Sequence, residues 1–149
     1  MARQGYVVDD DADFLAAMLE MLVKAGFEAR GFEGGKALLK TLDPEFEGVV
    51  IADLLMPGMS GLDLLAELRK AAPAVPVILI TGHGDIPAAV AATRGGAFDF
   101  LEKPTPPELL RATVKRALDA RELVLENRRL RARIARGTDI RARILGRSE

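Results

Sequence analysis

The sequence predicts an α/β fold in which a parallel five-stranded sheet is covered by helices on both faces and followed by one extended helix. Strand-like and helix-like patterns alternate strictly over the first 118 residues, as they do in parallel α/β proteins. The runs at 49–53 and 77–81 are almost wholly apolar, which is typical of strands buried on both faces. Successive units of this length are joined by right-handed crossovers.

The first three strand–helix units are delimited by turn and cap residues. We predict strands at Gly5–Asp9, Phe27–Phe32 and Gly48–Asp53, with helices at Ala12–Ala25, Gly34–Leu42 and Leu62–Ala71. Gly26 suits the position just after the first helix, where a left-handed residue is common. Asp11 or Asp13 is expected to cap the start of the same helix.

The last two units are delimited in the same way. We predict strands at Val77–Thr81 and Ala97–Glu102, with helices at Ile86–Arg94 and Pro107–Arg136. Asp85 is expected to cap the first of these helices and Gly95 to end it. Pro107 suits a first helical turn, and Gly137 is expected to break the final helix.

The second strand is predicted to lie at an edge of the sheet, because Glu28 and Arg30 interrupt its apolar pattern. This favours the flavodoxin-like strand order 2-1-3-4-5. In that order a ligand binds at the carboxyl ends of strands one and three.

Composition excludes several classes of protein. The chain has no cysteine and one histidine, so disulfides, thiol catalysis and multi-histidine zinc sites are excluded. No apolar run approaches the ~20 residues that span a bilayer, and the first residues lead directly into a strand rather than a signal peptide. We therefore expect a cytoplasmic protein with no membrane partner.

Charge is divided unevenly along the chain. Residues 1–107 hold 9 basic and 16 acidic side chains, whereas residues 108–149 hold 12 basic and 6 acidic ones. The division indicates two functional parts. We interpret the basic helix as a solvated surface and expect no direct binding of nucleic acid by this chain.

The final helix is predicted to be too long for the sheet it follows. Beyond residue 118 its small and apolar residues recur at spacings of three and four, and a polar residue lies among them: Ala120, Leu123, Asn127, Leu130 and Ile134. This pattern is typical of a short coiled-coil seam, in which a buried Asn can fix the register of two helices. We therefore predict a homodimer through this linker helix; a solvated single helix is the alternative.

Acidic side chains are predicted to meet at the carboxyl edge of the sheet. Asp9 and Asp10 follow the first strand, and Asp53 ends the third. Clustered carboxylates repel one another until a cation neutralises them, and Mg²⁺ prefers oxygen ligands. We predict a Mg²⁺ site formed by Asp9, Asp10, Asp53 and the backbone carbonyl of Leu55.

A hydroxyl and a lysine are predicted to join these acids. Thr81 ends the fourth strand and Lys103 follows the fifth. Asp53 would then act as a nucleophile toward phosphorus, Lys103 would pair with phosphate oxygens, and the Thr81 hydroxyl would donate to the same group. Catalysis would rest mainly on positioning and charge neutralisation.

These segments resemble the receiver domain of two-component response regulators. The matching segments are Val7–Asp11, Ile51–Asp53 with Met56-Pro57-Gly58, Thr81-Gly82 and Lys103-Pro104. The resemblance covers residues 5–118. It implies that Asp53 receives a phosphoryl group from a sensor histidine kinase, that Thr81 and Phe100 form a switch, and that the Lys103–Pro104 peptide is cis.

Other segments are similar to one subfamily, the sigma-54-dependent regulators of the C4-dicarboxylate-transport type. They are Thr81–Pro87, Ala97–Phe100, Glu126–Leu130 and Ile144–Glu149. The similarity implies a receiver at 1–118, a linker helix at 119–136 and the start of a truncated AAA+ ATPase domain at 137–149. The rest of that ATPase and a DNA-binding domain would lie outside this chain.

Three other functions compete with this interpretation. A similar Thr-Gly-His-Gly-Asp loop occurs in nitrogen-fixation-type regulators, which have a different DNA-binding output. A phosphatase of the haloacid-dehalogenase type would need a second Asp where Leu55 stands. A flavodoxin-like cofactor binder would need a phosphate-binding loop where three aspartates follow the first strand.

Overall fold

Five parallel strands form one sheet in the order β2-β1-β3-β4-β5. The computed structural model describes residues 3–82 and 85–145. The strands are β1 (Gln4–Val8), β2 (Glu28–Phe32), β3 (Val49–Asp53), β4 (Val77–Thr81) and β5 (Asp99–Glu102). The predicted fold class, the strand order and the edge position of β2 are confirmed.

Five helices cover the two faces of this sheet. They are α1 (Ala12–Lys24), α2 (Gly35–Thr41), α3 (Gly61–Ala71), α4 (Ile86–Arg94) and α5 (Pro107–Leu145). Buried side chains of α1 and α5 pack against one face, and those of α2, α3 and α4 pack against the other. β3 and β4 are buried along their whole length because both faces are covered.

The ends of the helices carry the caps that the sequence predicts. The Asp11 carboxylate accepts hydrogen bonds from the backbone N–H groups of the first turn of α1, and Asp85 accepts one from Ala88 at the start of α4. Gly26 has φ 95° after α1, and Gly95 is the C-cap of α4. These caps fix where each helix begins and ends, and so where the adjoining loops meet the sheet edge.

Two boundaries differ from the sequence prediction by more than one residue. β5 begins at Asp99 instead of Ala97, because the Ala97 N–H donates to the Ala92 carbonyl and still belongs to the turn that ends α4. Helix α5 continues through Gly137 to Leu145, so the predicted end at Arg136 was wrong. A single glycine costs a helix about 1 kcal/mol relative to alanine, and the surrounding Arg, Ala, Ile and Leu residues favour a helix.

Two features of the prediction fall outside the described part of the chain. His83, which was expected to be a loop residue, is one, and residues 146–149 of the predicted ATPase start are the other. Across the described residues, no helix has the length and apolar character that a bilayer span requires.

The core predicts a large difference between two truncations to alanine. Leu68 of α3 is completely buried between helix and sheet, whereas Val23 of α1 is 59% exposed. Leu68→Ala should lower the free energy of unfolding by about 2–5 kcal/mol, because it removes buried methyl groups and leaves a cavity. Val23→Ala should change it by less than about 0.5 kcal/mol. Urea unfolding measures both values, and equal effects would contradict the packing described.

Candidate functional site

The carboxyl edge of the sheet brings the predicted polar residues together. Asp9 directly follows β1, Asp53 is the last residue of β3, and Thr81 is the last residue of β4. Lys103 follows β5, and its backbone N–H donates to the Thr81 carbonyl at 2.7 Å. Parallel strands place all these ends on one side, so the site is a direct result of the topology.

Three carboxylates form the centre of this site. One oxygen from each of Asp9, Asp10 and Asp53 lies within 4.8 Å of the others. Asp9 is 1% exposed and Asp53 is 9% exposed, while Asp10 faces solvent. Negative charges so close together and so poorly hydrated repel strongly, so the site favours a cation.

One oxygen of Asp9 is held by the backbone and the other is not. Asp9 Oδ1 accepts a hydrogen bond from the Asp11 N–H at 2.9 Å. Asp9 Oδ2 is buried without a hydrogen-bond partner, and Lys103 Nζ at 3.6 Å is too far away to donate one. A buried carboxylate oxygen normally has a partner, so Oδ2 is available to a ligand.

Lys103 is the cation that the chain itself supplies. Its Nζ lies 3.4 Å from Asp53 Oδ1 and 4.1 Å from the centre of the Phe14 ring. The aromatic face attracts the ammonium group and restricts where it can lie. The Lys103–Pro104 peptide that follows is cis, as the resemblance implies.

The surroundings of Asp53 raise the pKa of its carboxyl group above the ordinary value. Burial is the main cause, and repulsion from Asp9 adds to it. The attraction of Lys103 and the backbone N–H of Leu55 act in the opposite direction without cancelling the effect. Ionised Asp53 is therefore a destabilised group when no cation is bound.

The loop after β3 keeps Asp53 close to the start of α3. The Gly61 N–H donates to the Leu54 carbonyl at 2.9 Å, and a Cβ on Gly61 would lie 2.6 Å from the Asp53 carbonyl oxygen. Only glycine permits this approach. The Leu55 side chain points into solvent and is 69% exposed. The backbone N–H of Leu55 donates a hydrogen bond to the Asp53 carboxylate.

The two predicted switch residues lie on neighbouring strands. Thr81 is 1% exposed at the end of β4. Phe100 lies in β5 opposite Leu79 of β4, is half-buried, and packs against the cluster beneath α3 and α4. Both are therefore connected to the site through a single pair of strands.

The donor set fits a hard divalent cation such as Mg²⁺. Asp9, Asp10 and Asp53 supply carboxylate oxygens, the kind of ligand that Mg²⁺ prefers, and the exposed side of the cluster leaves room for water. The unpartnered oxygen of Asp9 belongs to this set. With Lys103 beside Asp53, a bound anion would meet positive charge from the lysine and from the cation.

The predicted seam residues lie on the part of α5 beyond the sheet. Leu123 is 71% exposed, Leu130 43% and Ile134 65%, and Asn127 is also exposed. Ala120 is half-buried. This apolar surface is uncovered in the single chain, in agreement with the sequence pattern; pairing of two copies remains a prediction.

Three residues that matter to this arrangement were not identified as such from the sequence. Phe14 lies in α1, and its ring contacts Lys103. Gly61 is required by its approach to the Asp53 backbone. Arg121 is 1% exposed within a helix that was interpreted as basic and solvated. The glycine following Ser60 was a usable signal; the other two contacts depend on distant parts of the chain.

Comparison with known proteins agrees with this geometry. The family model of the response regulator receiver domain matches residues 6–115. The C4-dicarboxylate transport transcriptional regulatory protein DctD of Pseudomonas aeruginosa is 44% identical over 145 residues, which are 97% of this chain and 31% of that protein. The transcriptional regulatory protein FixJ of Bradyrhizobium diazoefficiens is 39% identical over 113 residues, 76% of this chain and 55% of that protein.

A solved structure has the same architecture. The crystal structure of NtrX from Brucella abortus superposes with a TM-score of 0.78 at 35% identity, covering 87% of this chain and 30% of that one. The chain therefore spans about a third of the length of the DctD and NtrX proteins that it matches.

The raised pKa of Asp53 predicts how stability depends on pH without metal. As pH rises above the ordinary carboxyl value of 3.8 toward the raised folded-state pKa, the unfolded chain loses its proton first. The free energy of unfolding should fall over that range. Asp53→Asn should flatten this slope and make the protein more stable than the wild type near neutral pH. A gain of about 1 kcal/mol would raise Tm by about 4 °C.

Thermal unfolding in a chelating buffer at a series of pH values measures this slope. Glu67→Gln is the control, because Glu67 is an exposed acid on α3 away from the site. A wild type and an Asp53→Asn variant with the same slope would contradict the assigned environment of Asp53.

Proposed function

This chain belongs to the response regulator receiver family, and we propose that it is the phosphoacceptor module of a two-component system, with Asp53 as the acceptor. The observation that carries the proposal is the convergence of three carboxylates with Lys103 at one edge of the sheet. The donor would be the phosphohistidine of a sensor histidine kinase, in the cytoplasm.

Phosphoryl transfer would use residues already in position. One oxygen of Asp53 attacks phosphorus, the phosphorus–nitrogen bond breaks, and its electron pair returns to the imidazole of the kinase. An acyl phosphate forms on Asp53. Lys103, 3.4 Å from Asp53 Oδ1, is placed to pair with the new phosphate oxygens, and the Thr81 hydroxyl would donate to them.

We assign the metal to the acidic cluster. Asp9, Asp10, Asp53 and the carbonyl of Leu55 would hold Mg²⁺, which supplies neutralisation of phosphate charge when it is bound. The raised pKa of Asp53 supports this assignment, because a cation would relieve the repulsion that helps to raise it. Binding would stabilise the fold by about 1.4 kcal/mol at ten times Kd.

The phosphoryl group would act on the rest of the domain through Thr81 and Phe100. We propose that Thr81 moves toward the phosphate and that Phe100, now half-buried, turns inward to fill the space. The surface formed by α4, β5 and α5 would repack as a result. Identical hydrogen exchange in α4 and α5 with and without the phosphoryl group would contradict this step.

The output would be control of a sigma-54-dependent transcription activator through a change in a homodimer. The exposed seam of α5 supports the dimer. Similarity to DctD extends over 97% of this chain, including the α5 tail, whereas similarity to FixJ covers 76%. This difference favours a DctD-like output, with AAA+ and DNA-binding domains, over the FixJ-like alternative. The kinase, the downstream domains and a second copy of this chain are the proposed partners.

Intact mass after incubation with acetyl phosphate tests the acceptor. We expect one added phosphoryl group in the presence of Mg²⁺, and none when Mg²⁺ is chelated or in Asp53→Asn. Glu67→Gln should react like the wild type, since Glu67 is exposed on α3. Rapid hydrolysis could hide the adduct, so beryllofluoride binding is measured in parallel. A wild type that neither gains mass nor binds beryllofluoride would contradict the proposal.

Sedimentation equilibrium tests the seam. Leu130→Glu places a charge on the exposed apolar surface of α5 and should weaken self-association at least about tenfold, or ~1.4 kcal/mol. Val23→Glu, at an exposed site on α1, is the matched control and should have no effect. A wild type that stays monomeric in both phosphorylation states, or equal weakening by both variants, would contradict pairing through this seam.

A further inference from the structure

Among the side chains that the structure describes, one charged group is buried outside the acidic site at the carboxyl edge. Arg121 of α5 is 1% exposed, although it lies beyond the segment of α5 that packs on the sheet. Burial of a guanidinium group is costly unless its N–H groups are bonded. Two of the three guanidinium nitrogens of Arg121 have partners that offset this cost, whereas the buried Nη1 has none.

Those partners are backbone carbonyls of the α2–β3 loop (residues 42–48). Arg121 Nε donates to the Phe46 carbonyl at 2.9 Å, and Nη2 donates to the Pro44 carbonyl, also at 2.9 Å. Hydrogen bonds to charged groups contribute more to stability than neutral ones do. Two such bonds to one loop fix both the direction and the rotation of the helix at this point.

The loop is itself held against the sheet. Phe46 is buried, and its ring stacks on Tyr6 of β1 with centroids 4.2 Å apart. A Cβ on Gly48 would lie 2.3 Å from the Gln4 carbonyl oxygen, so the loop ends in close contact with the start of β1. A rigid loop gives Arg121 a rigid support.

Further contacts continue along the same side of α5. Leu125, one turn after Arg121, is 6% exposed. Arg128 lies 3.6 Å from Glu45, and Arg129 lies 3.0 Å from Glu47. Exposed ion pairs contribute little to stability on their own, so Arg121 and Leu125 supply most of the attachment.

The seam lies on the opposite side of the helix from this attachment. At about 100° per residue, Leu123, Leu130 and Ile134 are rotated about 180–220° from Arg121. Their exposure in the single chain agrees with that rotation. The attachment therefore directs the apolar surface away from the receiver.

We infer that Arg121 is a positioning residue that anchors α5 to the α2–β3 loop, so that the receiver and α5 as far as Arg129 form one rigid unit. The first joint of the output helix then lies after Arg129 and not at residue 118. The anchor is independent of phosphoryl transfer; only its effect on pairing of two copies depends on the function proposed above.

Amide hydrogen exchange tests the anchor directly. It is measured in a Leu130→Glu background, at concentrations where sedimentation shows a monomer, so that pairing cannot supply protection. In that chain we expect residues 122–129 to exchange as slowly as residues 110–118, with a sharp loss of protection after Arg129. Fast exchange that begins near residue 119 in this chain, in which Arg121 is not substituted, would overturn the inference.

Arg121→Met, added to the same background, tests the side chain. It keeps length and apolar contact but removes the donors, and it should speed exchange at least tenfold in residues 122–129 and 43–48 while leaving 110–118 unchanged. Arg131→Met, at an exposed position on the same helix, should change neither segment. Unchanged exchange in Arg121→Met, or a uniform increase across the chain, would overturn the inference.

A phosphorylation assay distinguishes a failure of the Arg121 anchor from a failure of the proposed phosphoacceptor function. The Arg121→Met variant should gain a phosphoryl group from acetyl phosphate at the wild-type rate. Arg121 lies at the amino edge of the sheet, whereas Asp53 lies at the carboxyl edge. An absent phosphoryl group in the wild type would count against the acceptor proposal and leave the anchor intact.

Discussion

Repulsion among carboxylates at one edge of the sheet is the constraint on which the rest of this molecule depends. A buried Asp9 and a nearly buried Asp53 can be held together only by a fold whose core tolerates the strain. The two covered strands β3 and β4 provide that stability. Lys103 offsets part of the repulsion, and the remainder favours a bound cation.

The two edges of the sheet have different chemistry. At the carboxyl edge, acidic side chains are crowded and short of partners, so their energy changes when a ligand binds. At the amino edge, Arg121 donates through Nε and Nη2 to backbone carbonyls, which have no titratable state, and only its Nη1 is buried without a partner. Ligand binding would therefore change the energy of the acidic side chains at the carboxyl edge, whereas the bonds between Arg121 and the α2–β3 loop at the amino edge would stay the same.

Sequence reasoning recovered what depends on chain order and failed where distant segments meet. Strand ends carrying Asp53, Thr81 and Lys103 predict a site because parallel topology collects them. The burial of Arg121 could not be predicted, because it depends on carbonyl groups of a loop about 75 residues earlier. Every residue has a backbone carbonyl, so no residue type in the sequence indicates which one accepts the bond. The end of α5 was misjudged because the cost of Gly137 was weighed without the helix formers around it.

An attachment at one point of a long helix gives that helix mechanical leverage. Sixteen residues of α5 follow Arg129, ending at Leu145, and they extend over about 24 Å. A bend of about 10° just after Arg129 would displace the far end by about 4 Å, a little less than the pitch of about 5.4 Å per helical turn. A small change of angle at this joint is therefore enlarged along the last part of α5.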